Sequence, residues 1–385
     1  MILLEGSFMN HRERIFSALF LEEPDRVPIW ELAVNASVAE KIVGKKYPPI
    51  QANPPWPETF VMDRNQMIQL SVEGHILCYK KLNFDMLSVF PSPPLYFKPT
   101  IPKENVIMDE WGATYQYVPE TDQAFVIDFP LKVPEDLETF SLPDPNADGR
   151  TDIPEMAVKM AEKEDIAVSC WLPGLVEFTL ANLMGQRSFA LFLYRHLNML
   201  EKILDSLTVF IEQLGKAIID VGVEAIWFGN DTAYRNGPFL PPSLHKKIFV
   251  SRLKRIVDSF HKKGVKVIMH SCGKVDQLIE DWLSIGVDAI HPFEPQAGMD
   301  IAQMKRSYGD SVCIMGNIDV SHTLPFGSDD DVRNDVKEKI RTCAPNGGYV
   351  LTSSNSIFKA IPIRNVMAMI ETGISYGLYP HNVKW

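Results

Sequence analysis

Short apolar runs alternate with amphipathic stretches along most of this 385-residue chain, and that alternation restricts the fold more than any single motif does. Eight runs read as strands, at 27–32, 84–90, 166–172, 225–230, 265–270, 289–292, 312–316 and 349–352. Helical patterns fill the intervals at 189–221, 243–263, 275–285, 301–308, 328–343 and 363–376, and Gly264 and Gly286 stand where two of them should stop. Strands alternating with helices build βαβ units and a parallel sheet. Eight of them, with no glycine-rich dinucleotide fingerprint after any, favour an α/β fold of the (β/α)8 TIM-barrel type over an open doubly wound sheet. The expectation is one barrel domain over residues 1–385, with insertions at about 40–78 and 93–150 walling its mouth.

The first insertion opens with a proline-rich stretch at 47–57 and continues into a helix. The second carries a hairpin around Asp109-Glu110-Trp111-Gly112, flanked by strand-like runs at 105–108 and 113–118. A formal charge of −11 argues against a nucleic-acid surface, which needs clustered Lys and Arg. No apolar run is long enough for a membrane span, and the N-terminus has neither a basic region nor a long apolar one, so a cytoplasmic protein is expected. The cysteines at 78, 170, 272, 313 and 343 are odd in number and widely spaced, which suits reduced thiols better than a disulfide framework.

In a barrel of this kind the chemistry sits at the C-terminal ends of the strands. Those ends carry Trp30 and Glu31, then Ser92, then Trp171 with Glu177 beyond the Pro173-Gly174 turn. The fourth offers Asn230, Asp231, Tyr234 and Arg235, and the fifth His270 and Cys272. The last three offer His291, Glu294 and Gln296, then Asn317 and Asp319, then Ser354 and Asn355. Core packing does not account for so many polar groups, since each would need a buried partner. His270 and Cys272 stand two residues apart, so on an extended strand they point the same way, and Asp231 on a neighbouring strand end can add an oxygen. Nitrogen, sulfur and oxygen donors with a position left open suit a catalytic zinc, and the alternative is a buried structural histidine beside an inert thiol. Arg235 is free to pair with Asp231 or to bind a substrate carboxylate. His291 and Glu294 read either as an acid–base pair or, for the histidine, as core.

Several segments together resemble the uroporphyrinogen decarboxylase superfamily. They are Arg26-Val27-Pro28-Ile29-Trp30, Leu82-Asn83-Phe84-Asp85, Asp109-Glu110-Trp111-Gly112, Gly229-Asn230-Asp231, Met269-His270-Ser271-Cys272-Gly273, Gly316-Asn317-Ile318-Asp319 and Asn346-Gly347-Gly348-Tyr349. The likeness runs from about Arg12 to Tyr376, and the superfamily's barrels agree with the strand count. True uroporphyrinogen decarboxylases carry arginines in a Met-Arg-Gln-Ala-Gly-Arg segment after the first strand and an aspartate in Phe-Ser-Asp after the second. Here those places hold Glu31-Leu32-Ala33-Val34-Asn35-Ala36 and Phe90-Pro91-Ser92, which removes both the anion clamp and the counter-charge.

The other branch comprises cobamide-dependent methyltransferases, whose zinc-binding, thiol-methylating members use His-x-Cys and a later cysteine after the last strand. His270 and Cys272 match the first two positions, while the third aligns with Asn355, so thiol methylation fits less well than demethylation of aryl methyl ethers. The resemblance therefore implies a methyltransferase using Zn2+ and a cobamide (corrinoid) carried by a partner protein, with a small-molecule methyl donor. It implies that Asp231, His270 and Cys272 hold the metal, with Asp231, His270 and Glu177 catalytic. Trp30, Glu31, Trp171, Asn230, Tyr234, Arg235 and Asn355 would shape the site and meet the substrate. No nucleic acid or membrane is expected as partner, and the oligomeric state stays open, a homodimer included. The competing expectations are a decarboxylase of another acid using His291 and Asp319, and a noncatalytic corrinoid or tetrapyrrole binder.

Overall fold

The computed structural model describes residues 8–50 and 63–380. In chain order its strands are β1 (Met86–Val89), β2 (Thr100–Lys103), β3 (Val106–Met108), β4 (Thr114–Val118), β5 (Gln123–Asp128), β6 (Ala167–Pro173), β7 (Ala225–Gly229), β8 (Ala233–Tyr234), β9 (Gly237–Pro238), β10 (Lys266–His270), β11 (Ala289–His291), β12 (Cys313–Ile318) and β13 (Tyr349–Ser353). Strands β1, β6, β7, β10, β11, β12 and β13 pair in that order into one sheet, each parallel to the next. These are seven of the eight expected strands.

The eighth, at 27–32, lies between β13 and β1 but does not form a regular strand. Ile29 bridges Leu351; Trp30 N–H donates to Leu351 C=O at 3.1 Å, and Leu351 N–H donates to Pro28 C=O at 2.9 Å. On the other side Asp85 N–H donates to Ile29 C=O at 2.8 Å. The ladder is interrupted on the β13 side because Pro28 has no N–H and the Ser353 N–H is taken by the Glu31 carboxylate, and on the β1 side because the Ile29 N–H is taken at 2.8 Å by the Asp85 carboxylate.

Strand residues alternate between two cores, as the pleat requires. Met86, Ala167, Ala225, Trp227, Ile268, Ala289, Cys313, Met315 and Val350 fill the barrel with Trp30, and helix His11–Leu19 adds Ile15, Ala18 and Leu19. Their neighbours Leu87, Val168, Ile226, Met269, Ile290, Ile314 and Leu351 face the helices. The expected helix at 189–221 is two, Gly185–Arg195 and Leu197–Asp220, parted at His196. The others occupy their expected stretches, with the 243–263 pattern starting as Pro242–His245 and ending as Ser251–His261.

The expected hairpin is present as β3 and β4, with Ile107 opposite Tyr115; Asp109 Oδ1 holds its turn by accepting from Trp111 N–H and Ala113 N–H, each at 2.9 Å. β2 and β5 extend it to four antiparallel strands. Of the proline-rich stretch at 47–57, residues 51–57 lie outside the described residues, and helix Arg64–Lys81 follows. Among the described residues no helix is long and apolar enough to cross a membrane.

At the N-terminal end of the barrel the fully buried Asp85 accepts from Arg14 Nη1 at 2.7 Å and from both terminal nitrogens of Arg26 at 3.0 Å, and His11 Nδ1 lies 2.8 Å away. Burial alone would raise its carboxyl pKa, but these partners hold it below the ordinary range. Asp85 thus ties the first helix, the irregular stave and β1 together. Asp85→Asn leaves two buried guanidinium groups without their shared anion, and we expect urea unfolding to show a loss of about 3–5 kcal/mol.

A second titrating group acts at milder pH. His75 is buried on helix Arg64–Lys81 with Nε2 2.9 Å from the Ser88 carbonyl, and burial lowers its pKa from 6.5 to about 4. A depressed folded-state pKa gives stability that is complete above 6.5 and lost as pH falls toward 4. Urea titrations should show roughly 2 kcal/mol lost through this group between pH 7 and 4.5, a dependence that His75→Leu removes.

Candidate metal centre

Parallel pairing puts the ends of four strands on one level: Pro173 opposite Gly229, Gly229 opposite His270, and His270 opposite His291. His270 shares the parity of Ile268 and His291 that of Ala289, so both rings point into the barrel above its apolar filling. Cys272 repeats that parity just beyond β10. Gly273 then turns the chain at φ 86°, and a Cβ there would meet the Ala233 carbonyl oxygen at 2.4 Å. At Gly174 a Cβ would meet Asn230 at 2.3 Å, so only glycine lets the loop after β6 close onto the end of β7.

Asp231, His270 and Cys272 converge, with their donor atoms all within 4.8 Å of one another. His270 Nε2 lies 3.5 Å from Asp231 Oδ1 and 3.6 Å from Cys272 Sγ. Asp231 Oδ1 also accepts from Cys272 N–H at 2.7 Å. His270 is 6% exposed, whereas Asp231 and Cys272 are half-buried, so the cluster faces an opening. Asn355 Nδ2 donates to Cys272 Sγ at 3.0 Å, which puts this side chain beside the cluster.

Acids crowd the cluster. Glu177 Oε2 accepts from Asp231 N–H at 3.0 Å, and Glu294 Oε2 accepts from Gly273 N–H at 2.7 Å. Burial, followed by the Asp231 charge, pushes Glu177 up to about 8. Burial, followed by Asp231, Glu294 and Glu177, pushes the Cys272 thiol well above its ordinary value, and the Asn355 hydrogen bond opposes this. Burial also lowers His270, with Asp231 acting against it.

The other sequence-derived residues divide by position. Asn230 is fully buried and ties loops, accepting from Val176 N–H at 3.0 Å. Trp30 lies inside the barrel, edge-on to Trp227 and to His291. Glu31 is fully buried and accepts from both Ser353 N–H and Ser353 Oγ–H at 2.7 Å. Arg235 is exposed and donates to Gln296 C=O at 2.7 Å, so of its two alternatives the pairing with Asp231 does not form. Tyr234 is 49% exposed and packs on Phe239 at 4.3 Å. Cys78, Cys170, Cys313 and Cys343 are buried free thiols.

An open cleft is walled by aromatics, Phe90, Trp171, Phe178 and Phe210 among them. A Cβ on Gly229 would meet Trp171 Nε1 at 2.5 Å and Glu177 Oε2 at 3.4 Å, so the indole at the cleft wall and the acid behind Asp231 both stand at the end of β7. The cleft's charged pair, Arg150 with Glu110, was not singled out from the sequence; Arg150 Nη2 donates to Glu110 Oε2 at 2.7 Å and its guanidinium lies 5.7 Å from the Phe210 ring centre. Ser353 was missed too, because nothing marks a serine at the end of a buried strand as a partner of Glu31.

The model of the family described as uroporphyrinogen decarboxylase (URO-D) matches residues 10–376. The chain belongs to that family. A methylcobamide:CoM methyltransferase, MtaA, of Methanosarcina barkeri is 25% identical over 197 residues, 51% of this chain and 55% of that protein. A uroporphyrinogen decarboxylase of Trichodesmium erythraeum is 26% identical over 179 residues, 45% of this chain and 47% of that protein. The chain thus spans about half the length of the curated relatives it matches. Among solved structures, a methyltransferase from Methanosarcina mazei superposes with a TM-score of 0.73 at 20% identity, covering 96% of this chain and 99% of that one, which supports the barrel fold.

Within the uroporphyrinogen decarboxylase barrel, the turn after β10 is what carries Cys272 to its place. Gly273→Ala combines an unfavourable φ with a backbone clash, and we expect it to cost about 2 kcal/mol or more by chemical denaturation.

Proposed function

We propose that this protein is a methyltransferase that moves a methyl group from a small methylated substrate, an aryl methyl ether, to a corrinoid carried by a partner protein, with zinc held by Asp231, His270 and Cys272. The convergence of these three side chains carries the reading. Their imidazole, thiol and carboxylate donors suit a borderline cation, three protein ligands leave a position open, and half-buried Asp231 and Cys272 give access to it. A cation would also offset the acids around the cluster and favour the thiolate. The likeness to MtaA supports the corrinoid partner.

In this transfer the methyl group leaves without the electrons of its bond to oxygen, that pair stays on the leaving oxygen, and the pair for the new carbon–cobalt bond would come from the partner's corrinoid in its Co(I) state. When bound, zinc supplies Lewis acidity that stabilises the charge formed there. Glu177 stands behind Asp231, holding its backbone, and Asn355 fixes the thiol by donating to its sulfur. The aromatic cleft beside Trp171 suits a planar apolar donor, with the Arg150–Glu110 ion pair at its wall. Asn355 stands where the thiol-methylating pattern asks for another cysteine, which favours an ether over a thiol as substrate.

Purified protein supplemented with zinc and mixed with cob(I)alamin and a methoxyphenol tests the proposal. Expected are about one equivalent of zinc and formation of methylcobalamin by absorbance, with His270→Gln and Cys272→Ser lowering the rate by at least about 100-fold and losing the metal. Zinc below about a tenth of an equivalent overturns the metal seat. Release of CO2 from a carboxylated substrate without cobalamin would favour a decarboxylase instead, and tight cobalamin binding without methyl exchange a noncatalytic binder.

A further inference from the structure

Behind His270 runs a buried chain of hydrogen bonds that the proposed reaction does not use directly. His270 Nδ1 lies 2.7 Å from His291 Nδ1, and His291 Nε2 lies 3.2 Å from the Ser353 carbonyl oxygen. Ser353 is in turn held through its N–H and its hydroxyl by the Glu31 carboxylate, both at 2.7 Å. His291 is 1% exposed and Ser353 and Glu31 are fully buried, while the Trp30 ring stands edge-on to His291 at 5.5 Å.

This chain has a direction. A carbonyl oxygen only accepts, so His291 carries its hydrogen on Nε2. A neutral imidazole, the form expected in an apolar interior, then presents a lone pair at Nδ1. His270 must donate to that lone pair from its own Nδ1, which leaves His270 Nε2 as the bare nitrogen, and Nε2 is the atom that faces Asp231 and Cys272. Reversing either ring alone would set two ring N–H groups, or two lone pairs, against each other at 2.7 Å, and reversing both would set the His291 Nε2 lone pair against the Ser353 carbonyl oxygen.

We propose that His291 is a positioning residue: with its Nε2–H anchored on the Ser353 carbonyl, and Ser353 anchored by Glu31, it fixes His270 as the Nδ1–H tautomer and aims a bare Nε2 at the cluster. The assignment gives Glu31 a place in the ligand's support and not in contact with substrate. It rests, for its purpose, on the reading of Asp231, His270 and Cys272 as a metal seat. Partners that fix the ring hydrogen of a ligating histidine commonly change metal affinity 10–100-fold when removed, on the order of the effect expected here.

The tautomer is measured on metal-free protein with 15N-labelled histidine, in long-range 1H–15N spectra, the His270 signals being assigned by their loss in His270→Gln. The expected result is a protonated, pyrrole-type Nδ1 and a pyridine-type Nε2 for His270. A protonated Nε2 with a bare Nδ1 overturns the proposal whether or not metal binds. Zinc affinity by chelator competition gives the second readout. His291→Phe, which fills the space against Trp30 without an acceptor, should weaken binding at least about tenfold, and His291→Gln, whose amide can accept and donate in the same places, should stay within about threefold of wild type. Equal affinity for wild type and a folded His291→Phe overturns the positioning role and leaves the metal seat standing. Absence of zinc from the wild type overturns the seat, and the spectrum of the metal-free protein still decides the tautomer.

Discussion

The parallel register of β6, β7, β10 and β11 is the constraint on which the rest of the site depends. Because Gly229, His270 and His291 are cross-strand neighbours, the two imidazoles are brought to one depth and touch, although 21 residues separate them. A slip of one residue between β10 and β11 would turn one ring outward among the helices, and one between β7 and β10 would move Cys272 away from Asp231. The level is fixed below by the inward-facing apolar residues of the same strands and above by two glycines, Gly273 with its positive φ and Gly174 where the loop passes too close to Asn230 for a Cβ. The depth of the two imidazoles is therefore a by-product of barrel packing, while the turns just beyond β7 and β10 bring Asp231 and Cys272 to them.

Two kinds of buried carboxylate separate the two ends of the barrel. Asp85 is fully enclosed yet keeps a lowered pKa, because the His11 ring, two guanidinium groups and a backbone N–H meet it. At the other end Glu177 is raised to about 8 beside a second acid. The first arrangement is closed and holds the irregular stave in place, with the Coulomb and hydrogen-bond gains matching the cost of desolvation. The second is uncompensated by the side chains around it, a condition proteins maintain where an ion or a reacting group completes the balance. The same residue chemistry thus reads as latch at one end and as site at the other, according to what faces it.

That contrast bears on the segments through which the chain resembles its family. Arg26 and Asp85 belong to two of them, yet they meet each other far from the cluster and close the barrel. Asp109 in a third segment organises a hairpin turn. Only Gly229-Asn230-Asp231 and the turn containing His270 and Cys272 reach the cluster. A shared motif in this fold therefore marks a position that the barrel needs as often as one that the chemistry needs.

Local patterning along the chain is enough to specify the alternation of strand and helix, the positions of seven of the staves, the hairpin at Asp109 and the placing of His270 and Cys272 on one side of a strand end. These follow from local periodicity and turn chemistry, which act over a few residues and so are written in the order of the residues. It also placed Asp231 near that pair by the simple adjacency of consecutive strands. Only the tertiary structure decided that the stave at 27–32 would give up its ladder to Asp85, that Arg235 would turn to Gln296 and not to Asp231, and that Arg150 would reach the cleft from an insertion. It alone joined Glu31, Ser353, His291 and His270 into one chain, because those contacts depend on which strands lie side by side after the barrel closes, and closure brings together residues 322 positions apart.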